Sequence, residues 1–214
     1  MYISYGIEYD KEKFTDVKNN QLYSDLNLPP TKPLRGGFWG SSYKQCGMYC
    51  SEWHEFIFSK LFVEMFKDKI NNKSTIFELS EDAQVLYIDG LENVKLIFPN
   101  GEKEEGGNIP TRKCKVISGF DPNIEKRLYI DFEMLSKNYD AIYVSGNFLR
   151  EAEKFLHKCD ELIIKTNGNI PMDTNLKLAE QITKYQLFED WHVESLLVMN
   201  PDCIKIIDFI KIEN

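Results

Sequence analysis

The sequence predicts an α+β fold with many short strands and two or three helices, gathered in a single domain over residues 1–214. Three observations predict it. Short β-branched and aromatic runs recur along the whole chain, two segments repeat apolar residues at helical spacing, and clusters of Gly, Pro, Asn and Asp separate them.

Taken in order, Ile3 to Tyr9 reads as an opening strand and Asp10 to Asn20 as a polar stretch. Leu28-Pro-Pro-Thr-Lys-Pro33 cannot be helical throughout, because each proline lacks a donor and restricts its predecessor, so it is an extended connector. It leads into Leu34-Arg-Gly-Gly-Phe-Trp-Gly-Ser-Ser42, whose glycines admit close approach by a backbone or a ligand. From Ser51, a suitable N-cap, the stripe Trp53, Phe56, Ile57, Leu61, Phe62, Met65 and Phe66 predicts a helix that ends near Ile70. Strands are expected at Thr75–Leu79, Gln84–Ile88 and Val94–Phe98, then an exposed loop at Asn100–Asn108 and strands at Lys113–Ile117 and Leu128–Phe132. Ala141–Val144 suits a buried strand, and Asn147–Cys159 a helix with Phe148, Leu149, Ala152, Phe155 and Leu156 inward. Leu162–Ile164 reads as a further strand and Asn175–Gln186 as a helix. Two apolar runs, Ser195–Met199 and Cys203–Ile210, close the chain around the turn sequence Asn200-Pro201-Asp202.

Composition narrows the function classes. With 34 acidic residues against 26 Lys and Arg, the net charge is −8, which excludes a uniformly basic nucleic-acid binder. A chain of 214 residues, 43% hydrophobic, buries roughly 70% of its unfolded surface and needs no metal or disulfide staple. The N-terminus mixes Glu8, Asp10 and Glu12 into its apolar residues and lacks a secretory pattern, and nowhere do about 18 apolar residues run together. Five cysteines, Cys46, Cys50, Cys114, Cys159 and Cys203, are an odd number that suits reduced thiols. A cytoplasmic protein with no membrane partner is expected.

Most catalytic signatures are missing: there is no GxGxxG, phosphate loop, HExxH, GxSxG or CxxC. Cys46, Cys50 and His54 fall at i, i+4 and i+8, but both cysteines precede the helix start and a closed zinc site wants four ligands, so no metal is expected. Three segments say more together: Gly37-Phe-Trp-Gly-Ser-Ser42, a glycine-lined strand ending in hydroxyls; Asn138-Tyr-Asp-Ala-Ile-Tyr-Val144; and Val193 to Ile206, in which the single acid Glu194 leads into an apolar strand, a Pro turn and a last strand.

This ordered set resembles the ADP-ribosyltransferase superfamily, whose members cleave the glycosidic bond of NAD and pass on ADP-ribose. The resemblance extends to Phe77–Asp89, similar to the family's strand after its binding helix, and to Tyr139-Asp140-Ala141-Ile142, similar to a Tyr-Asp-Gly-Ile step. It implies an ADP-ribosyltransferase-like core of two packed sheets, NAD as substrate, and Glu194 as the catalytic glutamate. Trp39-Gly-Ser-Ser42 stands where many members carry a Ser-Thr-Ser strand, so Gly37, Trp39, Ser41 and, from the helix, Trp53 are implied to shape the nicotinamide pocket. Tyr5-Gly6 stands where the family holds His or Arg before Gly; with Tyr5 there, Arg35 or Lys32 has to anchor the adenylate half.

The physical logic is that breaking the nicotinamide–ribose bond builds positive charge on the ribose, which one carboxylate stabilises without titrating. The acceptor, protein or nucleic acid, is left open, and His192 at the place of a second acid disfavours arginine. A toxin-like bacterial or phage enzyme with an antitoxin or other regulatory partner fits this class. Two other readings compete: an NAD glycohydrolase with water as acceptor, and a non-catalytic binding module that uses the acidic loop Glu102–Glu105 as its partner surface.

Overall fold

A computed structural model describes residues 1–20, 31–43, 51–57, 73–115, 126–166 and 172–211. The α+β class predicted from the sequence is the observed one, with a seven-stranded and a three-stranded sheet. Strands of the large sheet are β1 (Tyr2–Ser4), β2 (Phe38–Ser42), β3 (Lys73–Leu79), β4 (Val85–Ile88), β8 (Ala141–Val144), β9 (Ser195–Val198) and β10 (Ile204–Lys211). The small sheet holds β5 (Leu96–Ile97), β6 (Ile109–Lys115) and β7 (Lys126–Ile130). The described helices are α1 (Glu52–Ile57), the single turn α2 (Phe132–Leu135), α3 (Gly146–Thr166) and α4 (Met172–Gln186). None is long and apolar enough to cross a membrane.

The large sheet runs β10-β3-β1-β2-β9-β8-β4, antiparallel except for the β4–β8 pair. Its centre changes partners. β2 pairs with β9 only through Phe38, Trp39 and Gly40, opposite Val198, Leu197 and Leu196, and then pairs with β1 through Ser41 and Ser42. The ladder therefore opens between β2 and β9 just where Ser42 and Glu194 would face each other.

Alternation gives each face its own packing. One face carries Leu86, Ile88, Ile142, Val144 and Leu197, which meet Leu96, Ile109 and Ile130 of the small sheet and Phe148, Ala152, Phe188 and Trp191 in one core. At the β1 end of that face, Ile3 and Ile76 pack with Ile57 of α1. The opposite face carries Phe38, Phe77, Ala141, Leu196 and Val198, covered at one end by Tyr9, Phe14 and Cys203.

Caps and turns fix the elements. Ser145 starts α3, its hydroxyl and carbonyl accepting from Phe148 and Leu149 N–H at 3.1 and 3.2 Å. Asp140 ties the far end of the sheet, accepting from Gln84 N–H at 2.8 Å and from the Asn200 side-chain amide at 2.6 Å. Asn200 in turn accepts Asp202 N–H in the predicted turn Asn200-Pro201-Asp202, where it caps a single 3₁₀ turn, Pro201–Cys203.

Three expectations need correcting. The strand expected at Leu128–Phe132 ends at Ile130, and Asp131 caps the single turn α2, which makes four described helices against the expected two or three. Leu162–Ile164 is not a strand but the last part of α3: the inward positions Phe148, Ala152, Phe155, Cys159 continue at helical spacing to Leu162, and Ile164 is left 75% exposed. Glu161, paired at i+4 with Lys165, adds local support. The opening strand is shorter than Ile3–Tyr9, ending at Ser4 before a turn at Tyr5-Gly6 with Gly6 at φ 64°. The expected helix beyond Ile57, most of the connector from Leu28, and Cys46 and Cys50 lie outside the described residues.

Packing accounts for Gly36, just before β2, and Gly40, within it. Gly36, at φ +85°, has no room for a Cβ, which would stand 2.0 Å from the Asp16 carbonyl oxygen. At Gly40 a Cβ would stand 2.8 and 2.9 Å from the Phe77 ring. Gly40→Ala is therefore expected to lower unfolding free energy by about 1–3 kcal/mol in urea titration, the usual cost of forcing an extra carbon into a filled core.

Candidate functional site

The parting of β2 and β9 is closed by a side chain. Tyr43 N–H donates toward β1, to the Met1 carbonyl at 3.0 Å, so the preceding Ser42 N–H points to the β9 side. There the Glu194 carboxylate accepts it at 2.7 Å, replacing the backbone carbonyl that a continuing ladder would have offered. Glu194 is half-buried and immediately precedes β9, as the sequence predicts.

Glu194 is also gripped from behind. Its N–H donates to Glu52 Oε2 at 2.9 Å, while Trp53 Nε1 donates to Ser195 Oγ at 3.1 Å, and that hydroxyl donates to the Val193 carbonyl at 2.8 Å. Glu52 Oε1 in turn accepts from Arg150 Nη1 of α3 at 2.8 Å.

On the Glu194 face the register places a group of tyrosines. Tyr2 is opposite both Ser42 and Phe77, Tyr143 opposite Leu196, and Tyr87 beside Tyr143. The Tyr143 ring lies 6.4 Å from that of Tyr2 and 5.7 Å from that of Tyr87, tilted to both. The Tyr143 phenol is pushed up to about 12, by burial first and then by the Glu194 carboxylate, while a hydrogen bond with Ser42 works the other way. Burial and the neighbouring Tyr87 push the Tyr2 phenol upward as well. With Tyr87 54% exposed, this is an open aromatic ledge beside a carboxylate, a surface suited to a flat organic cation. None of these tyrosines, nor Ser42 as a backbone donor, is singled out by sequence reasoning. The available signal was their parity: each sits one residue from inward-facing aliphatics in a short strand.

The structure brings some expected site residues to Glu194 and turns others away. Trp53 reaches Ser195 with its indole N–H. Trp39 and Ser41 sit on the opposite face of the sheet. The Trp39 ring packs 5.1 Å from Trp191, with the Lys32 ammonium 5.8 Å above it, and Trp191 Nε1 donates to the Thr31 carbonyl. Burial lowers the Lys32 pKa, opposed by Asp190. Ser41 is fully buried, and its hydroxyl finds no partner among the described residues. Gly37 packs against Leu197 and Val198. Arg35 is exposed and its main chain pairs with that of Lys18, its carbonyl accepting Lys18 N–H at 3.0 Å, beyond Phe38, itself roughly 13 Å along β2 from Ser42 at the usual rise per residue. Tyr5 accepts a hydrogen bond from Ser51 at 3.0 Å and packs on His54, while Gly6 N–H donates to Ser74. Both thus fasten β1 to its neighbours.

Elsewhere, His192 is exposed and stacks on Phe56 at 5.9 Å. Glu104 of the acidic loop is held by Lys184 at 2.8 Å. A groove of about 440 Å³ lies between α3 and the segment before β9, with Glu52, Arg150, Trp191 and His192 in its wall. Among the described residues no group of three or more His, Cys, Asp and Glu is placed to hold a metal ion.

No family model, curated protein or solved structure matches this chain.

Two outcomes test this geometry. The folded pKa of Tyr143 lies above its unfolded value near 10, so its contribution to stability is complete below about pH 10 and is lost as pH rises through about 12. Tyr143→Phe should flatten the alkaline fall in melting temperature over that window, and an unchanged profile would contradict the placement. Ser41→Ala removes a buried hydroxyl that has no partner among the described residues and is expected to leave the urea midpoint equal or higher.

Proposed function

We propose that this protein transfers ADP-ribose from NAD to a macromolecular acceptor, with Glu194 as the carboxylate that stabilises the ribosyl cation. The supporting observation is the convergence at the sheet's parting. Of the segments that carry the resemblance, Gly37–Ser42, Asn138–Val144 and the first part of Val193–Ile206 form the neighbouring strands β2, β8 and β9, with Glu194 at the end where β2 and β9 separate.

The chemistry follows from that placement. The bond between the ribose anomeric carbon and the nicotinamide nitrogen breaks, and nicotinamide leaves with the electron pair. A fixed negative charge beside the ribose lowers the barrier most when it is partly shielded from water and already oriented, as Glu194 is by Ser42 and Glu52. The tyrosine ledge offers π faces to the pyridinium ring before cleavage and loses that attraction once the ring is neutral, which favours release. Of the two cations expected to anchor the adenylate half, Arg35 lies toward the other end of β2 and Lys32 stands over Trp39 on the opposite face of the sheet.

Fold as an ADP-ribosyltransferase-like core belongs to the same proposal, as does a nucleophilic acceptor other than arginine, since the residue two before Glu194 is the exposed His192. The purified protein is expected to release nicotinamide from NAD. Glu194→Gln should reduce that rate by about 10²–10³-fold, with an unchanged circular dichroism spectrum. Absence of release by the wild type, or equal release by the variant, would refute the reading. NAD labelled in the adenylate and offered with cell lysate then separates transfer from hydrolysis, which leaves only free ADP-ribose.

A further inference from the structure

Two carboxylates meet at Glu194, and the reaction just described uses only one. Glu52 is the first residue of α1, a helix whose start is fixed by Ser51: the Ser51 hydroxyl and carbonyl accept His54 N–H at 3.3 and 3.1 Å, and the same hydroxyl donates to Tyr5. From that anchored start, Glu52 divides its two oxygens between two partners. Oε2 accepts the backbone N–H of Glu194, and Oε1 accepts Arg150 Nη1. Arg150 is steadied in turn by Asn147 Oδ1 at 2.8 Å. Gly146, which begins α3, leaves the room for this contact, because a Cβ there would stand 2.4 Å from Glu52 Oε1.

The arrangement is more than an ion pair on the surface. A lone pair of this kind contributes little to stability, but here one partner also holds the main chain at the residue whose side chain does the chemistry. With the Glu194 nitrogen fixed by Glu52 and its carboxylate fixed by Ser42, the side chain is held at both ends. Arg150 offsets the charge that Glu52 brings to the Glu194 main chain.

We propose that Glu52 is a positioning residue for Glu194, and that Arg150 keeps it in place; the proposal rests on the NAD reading. Misplacing a reacting group by about 1 Å costs on the order of 10²-fold in rate. The effect belongs in kcat, because Glu52 does not itself need to touch the dinucleotide.

The test has two arms on the full chain. In the first, nicotinamide release is measured for wild type, Glu52→Ala, Glu52→Gln and Arg150→Ala. Glu52→Ala should lower kcat by about 10–10²-fold with KM for NAD within about twofold. Glu52→Gln keeps an acceptor for the Glu194 N–H and should recover most of the rate, and Arg150→Ala should fall between. In the second arm, amide hydrogen exchange at Glu194 should be slow in wild type and in Glu52→Gln and fast in Glu52→Ala, whether or not NAD is cleaved. A folded Glu52→Ala with wild-type kcat, a loss expressed only in KM, or unchanged exchange at Glu194 would overturn the positioning role. A wild type that protects this amide but releases no nicotinamide overturns the NAD reading, and with it the catalytic role given to Glu52. If Glu52→Ala does not fold, Arg150→Ala with undiminished kcat and unchanged exchange overturns it instead.

Discussion

One hydrogen bond organises the centre of this molecule: the Ser42 N–H donated to the Glu194 carboxylate at 2.7 Å. A β-sheet that parts between two central strands exposes main-chain donors and acceptors, and each costs free energy if left unpaired. Here the donor on β2 is satisfied by a charged side chain, a stronger partner than a carbonyl. The parting can therefore persist in the folded state, and it leaves a carboxylate standing in the opening. Stability and placement of the candidate functional group are the same interaction.

The rest of the architecture can be ordered around that point. β1, β3 and β10 continue the sheet on the Ser42 side, and β8 and β4 on the Glu194 side. Asp140 ties β4, β8 and the β9–β10 turn at the far end, so the sheet is closed at one end and open at the other. The glycines of the β2 segment serve this closure. Gly37 lets β2 lie against Leu197, and Gly40 gives Phe77 a place to pack under the open end. Helix α1 then bridges the opening from the other face, with Glu52 and Trp53 each taking hold of the segment that enters β9.

Much of this was legible in the sequence because it is local. The strand Ala141–Val144, the Asn-Pro-Asp turn and the start of the helix at Ser51 follow from propensity, turn chemistry and capping, and all three stand where those rules put them. Leu162–Ile164 shows where local reading fails: a β-branched run looks like a strand until its alignment with the preceding helical stripe is counted. The candidate site was half legible. That Glu194 precedes a strand and that Trp39 and Ser41 lie on another can be read directly. Which face each side chain takes depends on the β2–β9 register, a pairing of residues more than 150 positions apart that no local pattern encodes. Pairings of the same non-local kind, β1 with β2, β8 with β9 and β4 with β8, bring Tyr2, Tyr143 and Tyr87 from scattered positions onto the face that carries Glu194.

The central claim is that the parting between β2 and β9 seats the ribose of NAD against Glu194. A crystal structure with a non-cleavable carbocyclic NAD analogue tests it most directly. The account predicts the ribose ring within hydrogen-bond distance of the Glu194 carboxylate and the nicotinamide ring on the face of Tyr143 or Tyr2. An analogue bound elsewhere on the molecule, or none bound at saturating concentration with Glu194 still closed on Ser42, would contradict it.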